Sequence, residues 1–227
     1  MVDDYALTTE DLEKLLLPRR IETIDHVLQQ RTDGVTIVLD SVHNTHNISA
    51  IIRSAEAFGL CSAYLVGTQF EERAGISQGA EQWIDLRSFD TPDAALDDLQ
   101  RRGYTVVVTA PANQQVGEAV SVPVYELPFG ERLAFVFGNE KVGVSPQMRQ
   151  AAMFAAHVPM FGFTESFNVS VACAICLFCS TVQVVAAERP RARLSDEEHA
   201  RLRLDWLKKS VANSELILSE LAKRRSS

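Results

Sequence analysis

The hydrophobic pattern alternates between short β-branched runs and longer stretches of helical period. Residues 35–42 (VTIVLDSV) read as a buried strand, and the segment from about 47 to 58 sets Ile48, Ile51, Ile52, Ala55 and Phe58 on one helical face. Further short apolar runs follow at 63–66, 83–89, 105–109, 133–137 and 155–160. Helix starts punctuate them: Thr91-Pro92-Asp93 puts a cap before a proline at the first helical position, and Ser145-Pro146 repeats the arrangement. Strands alternating with helices predict an α/β domain, a mainly parallel sheet with helices on both faces. The ends depart from this. Residues 12–30 predict a helix, and Ser195 with Glu198 forms a capping box opening a long charged helix towards Arg225, after a hinge at 190–194. The predicted organisation is an amino-terminal helical extension (1–34), a central domain (35–189) and a carboxy-terminal helical extension (190–227).

Residues 169–187 run without a charge for a length that could span a bilayer. The segment is nevertheless rich in Ala, Ser, Cys and Val, carries Gln183, lacks aromatic flanks and follows a complete α/β pattern. It predicts a helix buried in protein, with a partner subunit covering any face the sheet leaves open. With 46% apolar and 23% charged residues, the 227-residue chain can bury an ordinary core. Its net charge of −8 argues against coating nucleic acid by bulk electrostatics. Residues 188–227 hold ten Lys or Arg against seven Asp or Glu, a net +3 that leaves the rest of the chain at −11. An acidic body with a mildly basic tail results. The amino end shows no basic start followed by an apolar run, and three of the four cysteines crowd within seven residues, which suits a reducing, cytoplasmic home.

Three segments look unlike plain packing. The first is His46-Asn47 with Arg53, where local chemistry alone allows Asn47 to cap the helix and Arg53 to pair with Glu56. The second, 137–145 (FGNEKVGVS), follows a strand and precedes a helix, the place where open α/β sheets bind ligands; it lacks Walker spacing. In the third, 158–170 (VPMFGFTESFNVS), Ser166 or Asn168 caps the buried helix, and polar residues at its mouth offer donors to a ligand. Cys173, Cys176 and Cys179 have the spacing of an iron–sulfur run. On a continuous helix each turns about 300° from the last, so the sulfurs do not converge, and packing is the reading. His43 and His46 have no matching ligand pair, so no metal is assigned.

Together, LDSVHNTHNISAIIRSAEAFG, FVFGNEKVGVSP and VPMFGFTESFNVSVACAI resemble, in order, the three motifs of the SPOUT superfamily of RNA methyltransferases, in its TrmH-like branch of ribose 2′-O-methylating enzymes. Within that branch the short flanking helices are most similar to the tRNA guanosine-18 ribose methyltransferases. The resemblance implies methylation of a ribose 2′-hydroxyl in RNA, foremost guanosine-18 of the tRNA D-loop. The alternatives are rRNA, another tRNA ribose, or a non-catalytic RNA-binding dimer of the same fold. A nucleotide-dependent oxidoreductase is disfavoured because no GxGxxG turn follows the first strand.

The resemblance further implies a carboxy-terminal trefoil knot, and a homodimer with the long apolar helix and the first-motif helix at its interface. It implies S-adenosyl-L-methionine held around Thr109, Ala110, Gly138, Val158, Met160, Ser166, Phe167 and Asn168. By the same carry-over Arg53 is the catalytic residue, Asn47 and Glu140 position the reacting groups, and Ser166 and Asn168 shape the cofactor and ribose site. Departures are visible: Asn44-Thr45 stands where the family often has proline, Phe167 replaces a frequent leucine, and Glu165 adds negative charge where RNA approaches. Arg19, Arg20, Arg189, Arg191, Arg193, Lys208 and Lys209 are the candidate phosphate contacts.

Overall fold

The computed structural model describes residues 9–68, 79–112, 114–129, 132–186 and 194–211. In chain order its elements are α1 (Pro18–Gln29), β1 (Val35–Asp40), α2 (Thr45–Ala57), β2 (Ser62–Val66), β3 (Asp85–Phe89), α3 (Pro92–Arg101), β4 (Thr105–Thr109), β5 (Gln115–Val116), β6 (Ala119–Pro123), β7 (Leu133–Gly138), α4 (Pro146–Gln150), β8 (Phe154–His157), α5 (Val169–Ala186) and α6 (Asp196–Ser210). They divide between two compact units, Thr32–Arg193 and Met1–Arg31 with Leu194–Ser227.

The larger unit is built on one eight-stranded sheet of order β3-β2-β1-β7-β4-β8-β6-β5, parallel throughout except for the β5–β6 hairpin. Alternate side chains of each strand point to opposite faces. On one face Ile37, Leu39, Leu65, Phe135 and Phe137 pack with Ile48, Ile51, Ile52 and Ala55 of α2 and with Cys173, Cys176 and Leu177 of α5. On the other, Val38, Tyr64, Val106, Val108 and Val136 pack with Ala95 and Leu99 of α3 and Met148 of α4. The parallel register sets Asp40 beside Gly138 and Thr109 beside Ala156, so the carboxyl ends of β1, β7, β4 and β8 form one edge. The opposite edge is held by Asp33, 1% exposed, which receives the Tyr104 hydroxyl and pairs with Arg102 and Arg132. Burial pushes the Tyr104 hydroxyl up to about 12, so it stays a donor to that carboxylate. β8, the last strand made, lies between β4 and β6.

The smaller unit pairs α1 with α6. Ile24 and Leu28 are buried on α1, and Leu202, Leu204, Trp206 and Leu207 on α6. Arg203 bridges Asp25 (2.7 Å) and Glu13 (2.6 Å), and the Arg31 guanidinium sits 4.9 Å from the Trp206 ring centre.

Several boundaries differ from the sequence reading. The helix expected over 12–30 is interrupted: a turn closes after residue 13, and α1 starts at Pro18, whose missing N–H is harmless only in a first turn. The β5–β6 hairpin was not anticipated. The expected caps Thr91 and Ser195 are present, with the Ser195–Glu198 box complete. The stretch from 212 towards Arg225, and 190–193 of the expected hinge, lie outside the described residues. Among the described residues no helix is long and apolar enough to cross a membrane.

Candidate active site

The site grows from the carboxyl edge of the sheet. After β1 the chain turns through Ser41, whose φ of 57° is the sole left-handed conformation of a non-glycine residue among the described residues. The Ser41 carbonyl accepts from Asn139 Nδ2 at 2.9 Å, and Asn139 Oδ1 accepts from the backbone N–H groups of Lys141 (2.8 Å) and Val142 (3.2 Å). Asn139 and Gly143 also exchange both backbone hydrogen bonds, at 3.0 and 2.8 Å. That closure needs a glycine at 138: a Cβ there would lie 2.3 Å from the Gly143 carbonyl carbon. The far end of the loop is tethered by Asp40, 1% exposed, whose Oδ2 accepts from the Ser145 N–H at 2.6 Å. Ser145, expected as a cap, starts α4 without a side-chain cap.

Over this edge lies a cavity of about 530 Å³. Thr109 and Ala110 at the end of β4, Gly138 at the end of β7, Val158 and Met160 after β8, and Ser166 and Phe167 before α5 all line it. Phe137 and Cys176 supply further apolar wall. Two wall residues are fixed from behind: the Thr109 hydroxyl donates to the Val136 carbonyl at 2.8 Å, and His157 Nδ1 lies 3.0 Å from the Ser121 hydroxyl. Burial pushes the Cys176 thiol up to about 12, so it is neutral at physiological pH. Such a volume and mixed lining suit a nucleoside-sized ligand.

Beside the cavity, polar side chains from all three motif segments meet. Asn44, rather than Asn47, caps α2, accepting from the N–H groups of His46 (3.0 Å) and Asn47 (3.2 Å). The Asn47 side chain is thereby released from capping. Its Nδ2 donates to Glu140 Oε1 at 2.7 Å, and its Oδ1 accepts from Asn168 Nδ2 at 3.1 Å. Asn168 Oδ1 in turn accepts from the N–H (2.8 Å) and hydroxyl (2.6 Å) of Ser170, capping α5. Glu140, Asn47 and Asn168 thus form one hydrogen-bonded row, in which each amide has its orientation set by the next.

Arg53 stands apart. It is exposed, does not line the cavity, and has no hydrogen bond or ion pair among the described residues. Helical spacing puts it on the solvent face of α2 with His46, Ala50 and Ala57. Next to it, Ala50 and Ser54 of α2 and Val171, Ala174 and Phe178 of α5 line a shallow apolar groove of about 420 Å³. Val171 and Phe178 are 45% and 57% exposed there, so the α5 helix is apolar beyond what its own sheet covers.

Of the candidate phosphate contacts, Arg19, Arg20, Lys208 and Lys209 belong to the smaller unit. Arg20 donates to Ser210 (3.2 Å) and Lys209 pairs with Asp205 (2.7 Å), whereas Arg19 is exposed. Arg189, Arg191 and Arg193 lie outside the described residues. Sequence reasoning missed Asp40, Ser41 and Asn139 as the frame of the site. The available signal was a carboxylate closing an otherwise apolar strand.

Residues 34–178 match the SpoU rRNA Methylase family. The tRNA (guanosine(18)-2'-O)-methyltransferase of Borreliella burgdorferi is 30% identical over 219 residues, which is 96% of this chain and 97% of that protein. Its namesake from Thermus thermophilus is 34% identical over 196 residues, covering 84% of this chain and 96% of its own length. The crystal structure of the A. aeolicus TrmH/SpoU tRNA modifying enzyme superposes with a TM-score of 0.74 at 31% identity, over 89% of this chain and 99% of that one. The cavity loops and the Glu140–Asn47–Asn168 row all fall inside the matched span, and the chain belongs to the SpoU rRNA methylase family.

Proposed function

We propose that the protein transfers a methyl group from S-adenosyl-L-methionine to the ribose 2′-hydroxyl of guanosine-18 in tRNA, as a cytoplasmic homodimer. Relatives bearing that activity in their names align over 84–96% of this chain and 96–97% of their own length. The observation that carries the reading is the cavity at the carboxyl edge with the Glu140–Asn47–Asn168 row at its side.

The residues present fit the cofactor. The wall is apolar at Phe137, Val158, Met160 and Cys176, with polar groups at Thr109, Ser166 and the 138–143 backbone, a lining suited to a nucleoside carrying an amino-acid tail. When bound, the cofactor supplies an electrophilic methyl on a sulfonium. The chain's part is alignment and exclusion of water. The neutral Cys176 thiol offers no competing nucleophile. Glu140 has one oxygen engaged by Asn47 and the other without a partner among the described residues, so it can accept from the incoming hydroxyl. Arg53 is not assigned as the base, since a guanidinium is a poor proton acceptor. Its role is to hold the substrate phosphate or the oxygen on which negative charge develops, while the proton leaves through phosphate or water.

An arginine outside its own cavity, beside an uncovered apolar groove, supports a dimer in which α2 and α5 of two copies pack together and each Arg53 serves the partner's cavity. Insertion of β8 between β4 and β6, followed by α5 returning to pack on α2, supports a threaded, trefoil-knotted crossing. We assign catalysis to 35–189 and accessory phosphate contacts to Arg19 and Arg20 of 1–34, to Arg189 at the end of the central domain, and to Arg191, Arg193, Lys208 and Lys209 of 190–227. Incubation with labelled S-adenosylmethionine and, in parallel, a tRNA transcript and ribosomal RNA, followed by nuclease mapping, is expected to place the label at the 2′-oxygen of guanosine-18 of the tRNA. Label found only in ribosomal RNA, or at another ribose, overturns the assignment.

A further inference from the structure

In the loop between β8 and α5, Met160, Glu165 and Ser166 line the cavity, and residues 161–164 between them do not. Among these, Phe161 and Phe163 are 99% and 109% exposed. A fold gains nothing in its own stability from two wholly solvated rings, and large exposed apolar groups close in the chain beside a cavity suit a contact role. Glu165 is exposed as well, and its carboxylate has no hydrogen bond or ion pair among the described residues. A lone anion beside a site for RNA repels phosphate. It is favourable only against hydrogen-bond donors. The acidic body makes the same point from the other side: with −11 outside the tail, phosphate attraction is weak and binding needs another source.

Nucleobases answer both features. Their faces stack on aromatic rings whatever their sequence, and their edges carry donors in distinct patterns. On the Watson–Crick edge, guanine alone sets two donors side by side, N1–H and the 2-amino group. Adenine and cytosine each place a ring-nitrogen acceptor next to their amino donor, and uracil flanks its single N–H with carbonyls. A carboxylate matches the guanine edge with two parallel hydrogen bonds and opposes the others.

We propose that residues 161–165 recognise the target base, with Phe161 and Phe163 as its stacking platform and Glu165 accepting from N1–H and the 2-amino group of guanine. The inference rests on the reading that a guanosine ribose is methylated at this cavity.

The test uses the full chain with tRNA transcripts carrying guanosine or inosine, which lacks the 2-amino group, at the target position. Wild type is expected to prefer guanosine in kcat/KM, and Glu165→Ala to reduce that preference by about 5- to 150-fold. The double variant Phe161→Ala/Phe163→Ala is expected to raise KM for tRNA at least about fivefold. The phenylalanine variant should leave S-adenosylmethionine affinity, read by calorimetry, unchanged, and both variants should leave sedimentation unchanged. An unaltered guanosine-to-inosine ratio in Glu165→Ala overturns the inference. Altered sedimentation of the phenylalanine variant overturns it too, since the rings are then subunit contacts. Should wild type methylate no guanosine ribose at all, the underlying assignment fails as well; active wild type with unaffected variants refutes this inference alone.

Discussion

Replacing Gly138 by alanine separates the geometry of the loop from its chemistry. Gly138 has an ordinary negative φ, so alanine suffers no backbone strain; the difficulty is space alone. Its new Cβ would meet the Gly143 carbonyl carbon at 2.3 Å, the Gly143 oxygen at 2.5 Å and the Val144 nitrogen at 2.5 Å, all backbone atoms. Ordinary contact begins at 3.4 Å, so the 139–144 segment must retreat by about 1 Å. That movement stretches the paired Asn139–Gly143 hydrogen bonds and carries Glu140 away from Asn47, now 2.7 Å distant. A displacement of about 1 Å in a reacting group can cost about 100-fold in rate, and overpacking of this kind costs about 1–3 kcal/mol of stability. Gly138→Ala should therefore lower kcat/KM about 100-fold, weaken S-adenosylmethionine binding in calorimetry and depress the melting temperature. Gly143 provides the contrast. Its φ is +74° and nothing lies within 4 Å of a Cβ there, so Gly143→Ala bears only the left-handed penalty of about 1–2 kcal/mol and should keep far more activity. If Gly138→Ala binds cofactor and turns over within about threefold of wild type, the cavity is not formed by the closed loop described above.

Two further outcomes follow from charge placement. Burial raises the Asp98 carboxyl, but the Tyr64 hydroxyl and the Arg87 and Arg102 guanidinia outweigh it and hold the group below its usual 3.8. A depressed carboxyl contributes stability above its unfolded pKa and loses it as pH falls through the lower folded value, so the Asp98→Asn deficit in urea midpoint should shrink below about pH 4. A deficit unchanged from neutral to acid pH contradicts this. Arg203 donates to Asp25 at 2.7 and 3.1 Å and to Glu13 at 2.6 Å, and these bonds raise its pKa above the usual range. Arg203→Ala should destabilise the protein by about 1–3 kcal/mol in chemical denaturation, with methyl transfer at saturating substrate little altered.

Much of this architecture can be read along the chain. The apolar runs read at 35–42, 105–109 and 133–137 become the central strands 35–40, 105–109 and 133–138, because a strand buried on both faces has no polar alternation to confuse it. Thr91 and Ser195 work as caps because capping is a local reaction between a side chain and the next turn. The hairpin at 115–123 escapes notice: two strand residues, then Gly117 and Glu118, then five more do not build a detectable period.

The site divides along the same line. Thr109, Gly138, Val158, Met160, Ser166 and Phe167 follow strand ends or precede a helix, where ligands gather, and they do line one cavity. Asn44 and Asn47 are equally good caps on paper, and only the fold shows that Asn44 takes the cap, leaving Asn47 to reach Glu140 across 93 residues and Asn168 across 121. The Asp40–Ser145 tether spans 105 residues and likewise leaves no local trace.

In the proposed dimer the decisive feature is that each Arg53 serves the partner's cavity. Coexpression of differently tagged Arg53→Ala and Gly138→Val chains, with purification of the mixed dimer, tests this directly. One cavity of that dimer is intact and faces an intact Arg53 from the other chain, so methyl transfer should return to about half of wild type per dimer, while either parent alone stays inactive. A mixed dimer as inactive as its parents places Arg53 and the cavity it serves in the same chain, and contradicts the account.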